Sequence, residues 1–168
     1  MMDTKSWFCN KIKELENGMY RLSYSILKNQ EDAQDAVQDA ICSAYKELEN
    51  LKDRGKFKPW IYTIVKNTSF LLLRNRQYLS NIEDENVQAD KKDVDTDLTI
   101  WNAVQDLEQP YRTVITLFYY EDWSIREISK ITWIKIDAVK KQLSRGREKI
   151  KEIIKVWIFF KIEKLEKK

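Results

Sequence analysis

Glycine and proline are scarce in this chain: 3 and 2 in 168 residues. They are the residues that turn a backbone sharply, so the chain has few means of making hairpins or tight loops. A structure built from long helices follows. The apolar pattern agrees. Ala33, Val37, Ala40, Ile41, Ala44 and Leu48 recur at steps of three and four, which is one stripe of a helix. Asn29 precedes that stripe as an N-cap, and Glu31 and Asp32 stand in the first turn, where the helix dipole favours acids. Pro59 opens "WIYTIVKNTSFLLLRNR", a position where its missing N–H costs nothing. The spacing predicts helices over about residues 4–16, 18–28, 30–49 and 58–79, then 97–107, 110–120, 124–131 and 135–163.

Residues 81–97, "NIEDENVQADKKDVDTD", break this pattern. Seven acids stand against two lysines there, with no aromatic residue. So few apolar groups cannot offset chain entropy, and a flexible acidic linker is expected. It separates two basic units, 1–80 with 13 basic and 10 acidic side chains, and 98–168 with 15 and 10. The formal net charge of +3 therefore understates both. The expected fold is all-α, two small helical domains on a linker.

Several functions are excluded by what is missing. There is no histidine, no CxxC and no Gly-rich phosphate loop, and the cysteines Cys9 and Cys42 lie far apart. This removes most zinc sites and nucleophile–histidine catalysis. An enzyme is the weakest reading, and no cofactor is expected. The N-terminus lacks a charged-then-apolar leader, and "VWIFF" at 156–160 is far short of the ~20 residues a membrane span needs. A cytoplasmic protein without membrane insertion is expected.

Three segments carry chemistry. Ser124 and Glu127 have capping-box spacing, and Ile125, Ile128 and Ile131 give the helix they open an apolar side. After a short break, Ile136, Val139, Leu143, Gly146, Ile150 and Ile153 form the stripe of a second helix, "DAVKKQLSRGREKI" within it. Lys140, Lys141, Ser144 and Arg145 fall on its other side. Two helices on a tight turn, the second one basic, are the pattern of a DNA-binding helix-turn-helix, the alternative being a solvated basic face on a surface helix. In the first unit, Asp35, Gln38, Asp39 and Cys42 stand opposite the apolar stripe, a polar surface that suits a basic protein partner. Next, Lys52, Arg54, Lys56 and Lys58 interleave with Gly55, Phe57 and Trp60. Cations that track phosphates beside aromatic rings suit single-stranded nucleic acid. Trp60 is expected in the core, and Lys66, Arg74 and Arg76 extend the basic surface.

Together these segments resemble one family. "DAQDAVQDAICSAY" with "GKFKPWIYTIVKNTSFLLLRNR" is similar to region 2 of the extracytoplasmic-function sigma factors of bacterial RNA polymerase. "LEQPYRTVITLFYYEDWSIREISKI" with "DAVKKQLSRGREKI" resembles their region 4. The likeness covers about residues 18–79 and 104–154. It implies an alternative sigma factor that brings core RNA polymerase to selected promoters. Region 2 would span 1–80 and region 4 would span 98–168, with a C-terminal helical extension. Asp35, Gln38 and Asp39 would dock on the clamp helices of the largest polymerase subunit. Lys52, Arg54, Lys56, Lys66 and Asn67 would meet the −10 element. Lys135, Ala138, Lys140, Lys141, Ser144 and Arg145 would read the −35 element, and an anti-sigma factor is a further partner. A stand-alone helix-turn-helix regulator and a protein that only sequesters a partner are the competing readings.

The chain departs from the family pattern in places. Leu71 replaces an acid of the promoter-melting surface, Ala138 replaces a threonine, and the proline of "LEQPYR" is displaced. Trp133 stands where a glycine usually makes the turn, which predicts a turn of altered shape. The apolar tail at 156–160 is expected to continue a helix packed on its own domain, the alternative being a partner surface.

Overall fold

A computed structural model of the chain describes residues 3–82 and 100–166. Seven α-helices and two short 3₁₀ turns, with no strand among the described residues, make an all-α fold. Three helices form the N-terminal unit: α1 (Thr4–Leu27), α2 (Gln30–Lys46) and α3 (Phe57–Ile82). Four form the C-terminal unit: α4 (Ile100–Gln105), α5 (Tyr111–Tyr119), α6 (Ile125–Thr132) and α7 (Ile136–Glu166).

The ends of these helices follow from local chemistry. The Asp3 side chain accepts from the Ser6 amide at 2.7 Å and starts α1. The Asn29 side chain accepts from the Asp32 amide at 2.9 Å and starts α2, as its sequence predicts. Between them Lys28 takes a left-handed conformation, φ 53°, and its amide closes on the Tyr24 carbonyl at 2.9 Å. This reverses the chain in few residues, so α1 and α2 pack side by side.

The expected break at residue 17 does not occur: α1 runs unbroken from Thr4 to Leu27. Met19, Leu22 and Ile26 continue its buried stripe. Gly18 is not a terminator but a point of close approach. A Cβ there would lie 2.0 Å from Tyr62 Oη and 2.2 Å from Glu121 Oε2.

The first unit's core gathers Phe8, Met19, Leu22, Ala36, Ala40, Ala44, Phe57, Ile61 and Val65. Phe57, 2% exposed, takes the central place that Trp60 was expected to share. Its ring meets the edges of Trp7 at 5.1 Å and Phe8 at 5.7 Å between centroids. Trp60 is half-buried against it.

In the second unit, α6 begins with the predicted capping box. The Ser124 side chain accepts from the Glu127 amide, and the Glu127 carboxylate accepts from the Ser124 amide. Ile128 and Ile131 of α6 bury with Val139 and Leu143 of α7. Gly146 lets α7 press on α5: a Cβ there would sit 2.8 Å from Ile115 Cγ1. Ile115 is 1% exposed, a core side chain with little room to move. Gly146→Val is therefore expected to destabilise the chain by about 2 kcal/mol through overpacking, read as a lower midpoint in urea melts.

The two units are packed on one another, α1 against α5 and α3 against α6. From residue 83 on, the expected linker lies outside the described residues, and its first two positions are helical as the end of α3. No helix of the described residues is long and apolar enough to cross a membrane.

Candidate nucleic-acid and polymerase interfaces

The sequence-predicted residues fall on three surfaces. Asp35, Gln38 and Asp39 lie exposed on α2, opposite the buried Ala33, Ala36, Val37 and Ala40. Spacing of three and four puts them on one helical face, where the core leaves them free to meet a partner. Cys42 is exposed on the same helix.

The second surface is basic. Between α2 and α3 the chain makes two 3₁₀ turns, Leu48–Asn50 and Arg54–Lys56. The Asp53 side chain accepts from the Gly55 amide at 2.9 Å and shapes the loop. Lys52, Arg54 and Lys56 are exposed on it. Arg54 lies over the Trp7 ring at 4.6 Å and donates to Thr4 Oγ1 at 3.2 Å, so this cation is held in place. On α3, Asn67 and Arg74 are exposed, but Arg76 is paired with Asp32 at 2.6 Å and ties α3 to α2.

Lys66 departs from expectation most clearly. It is 7% exposed, and its ammonium sits 4.3 Å from the centroid of Trp133 in the other unit. Burial pushes its pKa below the ordinary lysine value. Leu71, where the family carries an acid, is exposed. Lys66, Asn67 and Leu71 line one wall of a groove of about 560 Å³, and Thr113, Ile134 and Gln142 line the other.

The third surface is the helix-turn-helix. Lys135, Lys140, Lys141, Ser144 and Arg145 are exposed on the outer side of α7, and Ala138 is half-buried. Asp137 stands 3.8 Å from Lys140, an exposed pair that leaves the lysine free to exchange it for a phosphate. Trp133 does not change the class of the turn. It takes the left-handed conformation, φ 60° and ψ 28°, that a glycine adopts easily. The Ser129 hydroxyl donates to the Ile134 carbonyl at 2.6 Å across the turn and holds it closed.

One cluster had no signal in the local sequence. Glu121, in the turn between α5 and α6, is buried at the junction of the two units. Its Oε1 accepts from Arg21 Nε at 2.5 Å, and its Oε2 accepts from Tyr62 Oη at 2.8 Å. Burial, and then the Glu121 charge, raise the Tyr62 phenol far above its ordinary pKa. Beside it Trp123 packs on Tyr62 at 5.0 Å, with the Lys58 ammonium 4.6 Å from its ring centroid. Below, Gln109 and Arg112 both donate to the Ser25 carbonyl, and the hydroxyls of Ser25 and Thr113 lie 3.2 Å apart.

An all-α pair of units, one with an exposed polar face on α2 and a basic loop beside it, the other with a helix-turn-helix, has the arrangement expected of the family the sequence resembles. The comparisons agree. Sigma-70 region 2 matches residues 12–78, and Sigma-70 region 4 matches residues 97–150. The chain is 32% identical over 146 residues to RNA polymerase sigma factor SigV of Bacillus subtilis, covering 85% of this chain and 88% of that one. It is 29% identical to ECF RNA polymerase sigma factor SigW of the same organism, covering 86% and 87%. Among solved structures it superimposes on the sigma factor RpoE from Bartonella quintana, bound there to the anti-sigma factor NepR. The TM-score is 0.75 at 22% identity, covering 89% of this chain and 97% of that one. CnrH, in complex with the cytosolic domain of CnrY, gives a TM-score of 0.66 at 19% identity, covering 92% and 90%.

The chain belongs to the sigma-70 family of RNA polymerase sigma factors, in its extracytoplasmic-function group. It is an alternative sigma factor for transcription initiation and not a stand-alone regulator.

Proposed function

We propose that the three surfaces divide the work of initiation as the family resemblance assigns them. The α2 face of Asp35, Gln38 and Asp39 docks on the clamp helices of the largest polymerase subunit. Lys52, Arg54, Lys56, Lys66 and Asn67 meet the −10 element. Lys135, Ala138, Lys140, Lys141, Ser144 and Arg145 meet the −35 element in the major groove. The observation that carries this reading is the sorting of side chains on α7. Val139, Leu143 and Gly146 are buried, and every polar candidate from Lys140 to Arg145 faces outward. A helix whose polar face is free along its N-terminal half fits the groove, where Lys, Arg and Ser reach base edges or phosphates. The chain works in the cytoplasm, where the polymerase is.

An anti-sigma factor is the further partner. Support comes from the two solved neighbours, one seen with the anti-sigma factor NepR and the other with the cytosolic domain of CnrY. Support also comes from the exposed apolar side chains Val156, Ile158, Phe159 and Ile162 near the end of α7.

The −35 assignment is tested on α7. Lys140→Ala and Arg145→Ala are each expected to cost about 1–3 kcal/mol in discrimination between matched and scrambled −35 DNA. Holoenzyme binding to the two DNAs measures it. Equal weakening on both would reduce that side chain to a phosphate contact.

A further inference from the structure

The groove of about 560 Å³ beside α3 has the size of a small-molecule site. Lys66, Phe70 and Arg74 follow one another at steps of four, so they share one face of α3 and line the groove together. The two cations are set roughly 12 Å apart along the helix axis, with an aromatic ring between them. Leu71 widens the apolar surface on this wall, and Val114 and Ile134 line the groove with it. Among the described residues no carboxylate lines the groove. Its charge is positive only, which raises the local concentration of anions.

Lys66 is the unusual member. It is 7% exposed, yet among the described residues its ammonium donates no hydrogen bond and joins no ion pair. Its neighbour is the Trp133 ring. A ring face attracts a cation, but it does not supply the oxygen acceptors that three N–H donors take up. Buried charges are ordinarily paired and hydrogen-bonded, and this one is not. The polar groups on the other wall do not answer it. The Thr113 hydroxyl donates to Gln109 Oε1 at 2.9 Å, and Gln109 donates to the Ser25 carbonyl at 2.7 Å. The Thr132 hydroxyl donates to the Ile128 carbonyl at 2.6 Å. Arg74 is exposed and likewise has no acid beside it among the described residues.

We propose that this groove binds a small amphipathic anion: an oxyanion head, carboxylate or phosphate, against Lys66, and an apolar body along Phe70, Leu71, Val114 and Ile134. Lys66 is the buried anchor. Arg74 draws the head in from solvent. The apolar walls select against a bare inorganic ion, and the cations select against an uncharged body of the same shape. The inference goes beyond the −10 assignment and does not depend on it. Binding is measured without DNA, so either can fail alone.

Isothermal titration of the full-length chain tests it, with decanoate and decyl phosphate as probes below their micelle concentrations. At least one of the two is expected to bind once per chain. Decanol and inorganic phosphate should each bind at least about tenfold more weakly than that probe. Lys66→Gln is expected to weaken the probe by about tenfold or more, and Arg74→Gln, at a solvated site, by about two- to fivefold. Leu71→Asp supplies a second test that the fold tolerates, since this side chain is 54% exposed. It places a carboxylate in the wall and should weaken the probe as strongly as Lys66→Gln, with helix content unchanged by circular dichroism. Absence of binding by both probes would overturn the site. Decanol binding as tightly as the probe would overturn its charge reading, and inorganic phosphate binding as tightly would overturn its apolar half. Binding undiminished in Lys66→Gln and Leu71→Asp would put the ligand elsewhere and overturn the assignment to this groove.

Discussion

Asp35→Ala/Gln38→Ala/Asp39→Ala is expected to weaken binding to purified core RNA polymerase by about a hundredfold or more, since a few central residues carry most of an interface's free energy. The fold should survive. The three side chains are exposed, and α2 keeps its Asn29 cap and its buried alanines. Two acids on an otherwise basic unit also steer a basic partner at long range, so part of the loss should appear as a slower association rate. Titration of labelled core with the variant, beside circular dichroism to show unchanged helix content, separates a lost contact from a lost fold. Undiminished binding would move the docking face off α2.

Phe57→Ala is the second large effect, on stability. The ring is 2% exposed and wedged between Trp7 and Phe8. Truncating such a phenylalanine costs about 3–5 kcal/mol, a large share of what holds a small domain together. The consequence reaches function through geometry. Phe57 is the residue on which the loop of Lys52, Arg54 and Lys56 ends and α3 begins. A variant that still folds should therefore lose order in that loop. Urea denaturation followed by circular dichroism reads the first effect. Loss of protection of the Trp7 and Gly55 amides against hydrogen exchange reads the second. A shift of less than about 1 kcal/mol would contradict the central place given to this ring.

Most helices could be read from the chain because their causes are local. Asn29 and Ser124 cap the helices they precede, and the buried stripes of α2 and α7 follow the three- and four-residue steps. What escaped depends on distant partners. Gly18 looks like a helix breaker when only its neighbours are seen. Its reason is room for Tyr62 and Glu121, which are brought to it only by tertiary packing. Glu121 itself reads as a surface acid beside a turn, yet it meets Arg21 one hundred positions away. Lys66 belongs by sequence to an exposed basic face, yet it is 7% exposed, with Trp133 of the other unit against its ammonium. Trp133 shows the limit from the other side. Sequence correctly marks it as unusual, since a bulky residue at φ 60° costs roughly 1 kcal/mol or more. Sequence does not reveal that the turn keeps its left-handed conformation, or that the ring has a cation to sit against.

The acidic segment shows the same division. Its composition marks a boundary, and the two family regions fall on either side of it. Composition says nothing of whether the units it joins touch, because that is settled by side chains far from the boundary: Ser25 with Thr113, Arg21 with Glu121, Lys58 with Trp123.

The measurement that tests the central claim most directly is transcription from a genomic fragment library by core polymerase, with and without the purified chain, with the 5′ ends of the products mapped. The account predicts new transcripts that appear only with the chain. They should start at a small set of sites sharing two upstream sequence elements. Products that are the same with and without it, or new starts with no shared elements, would contradict promoter selection by this protein.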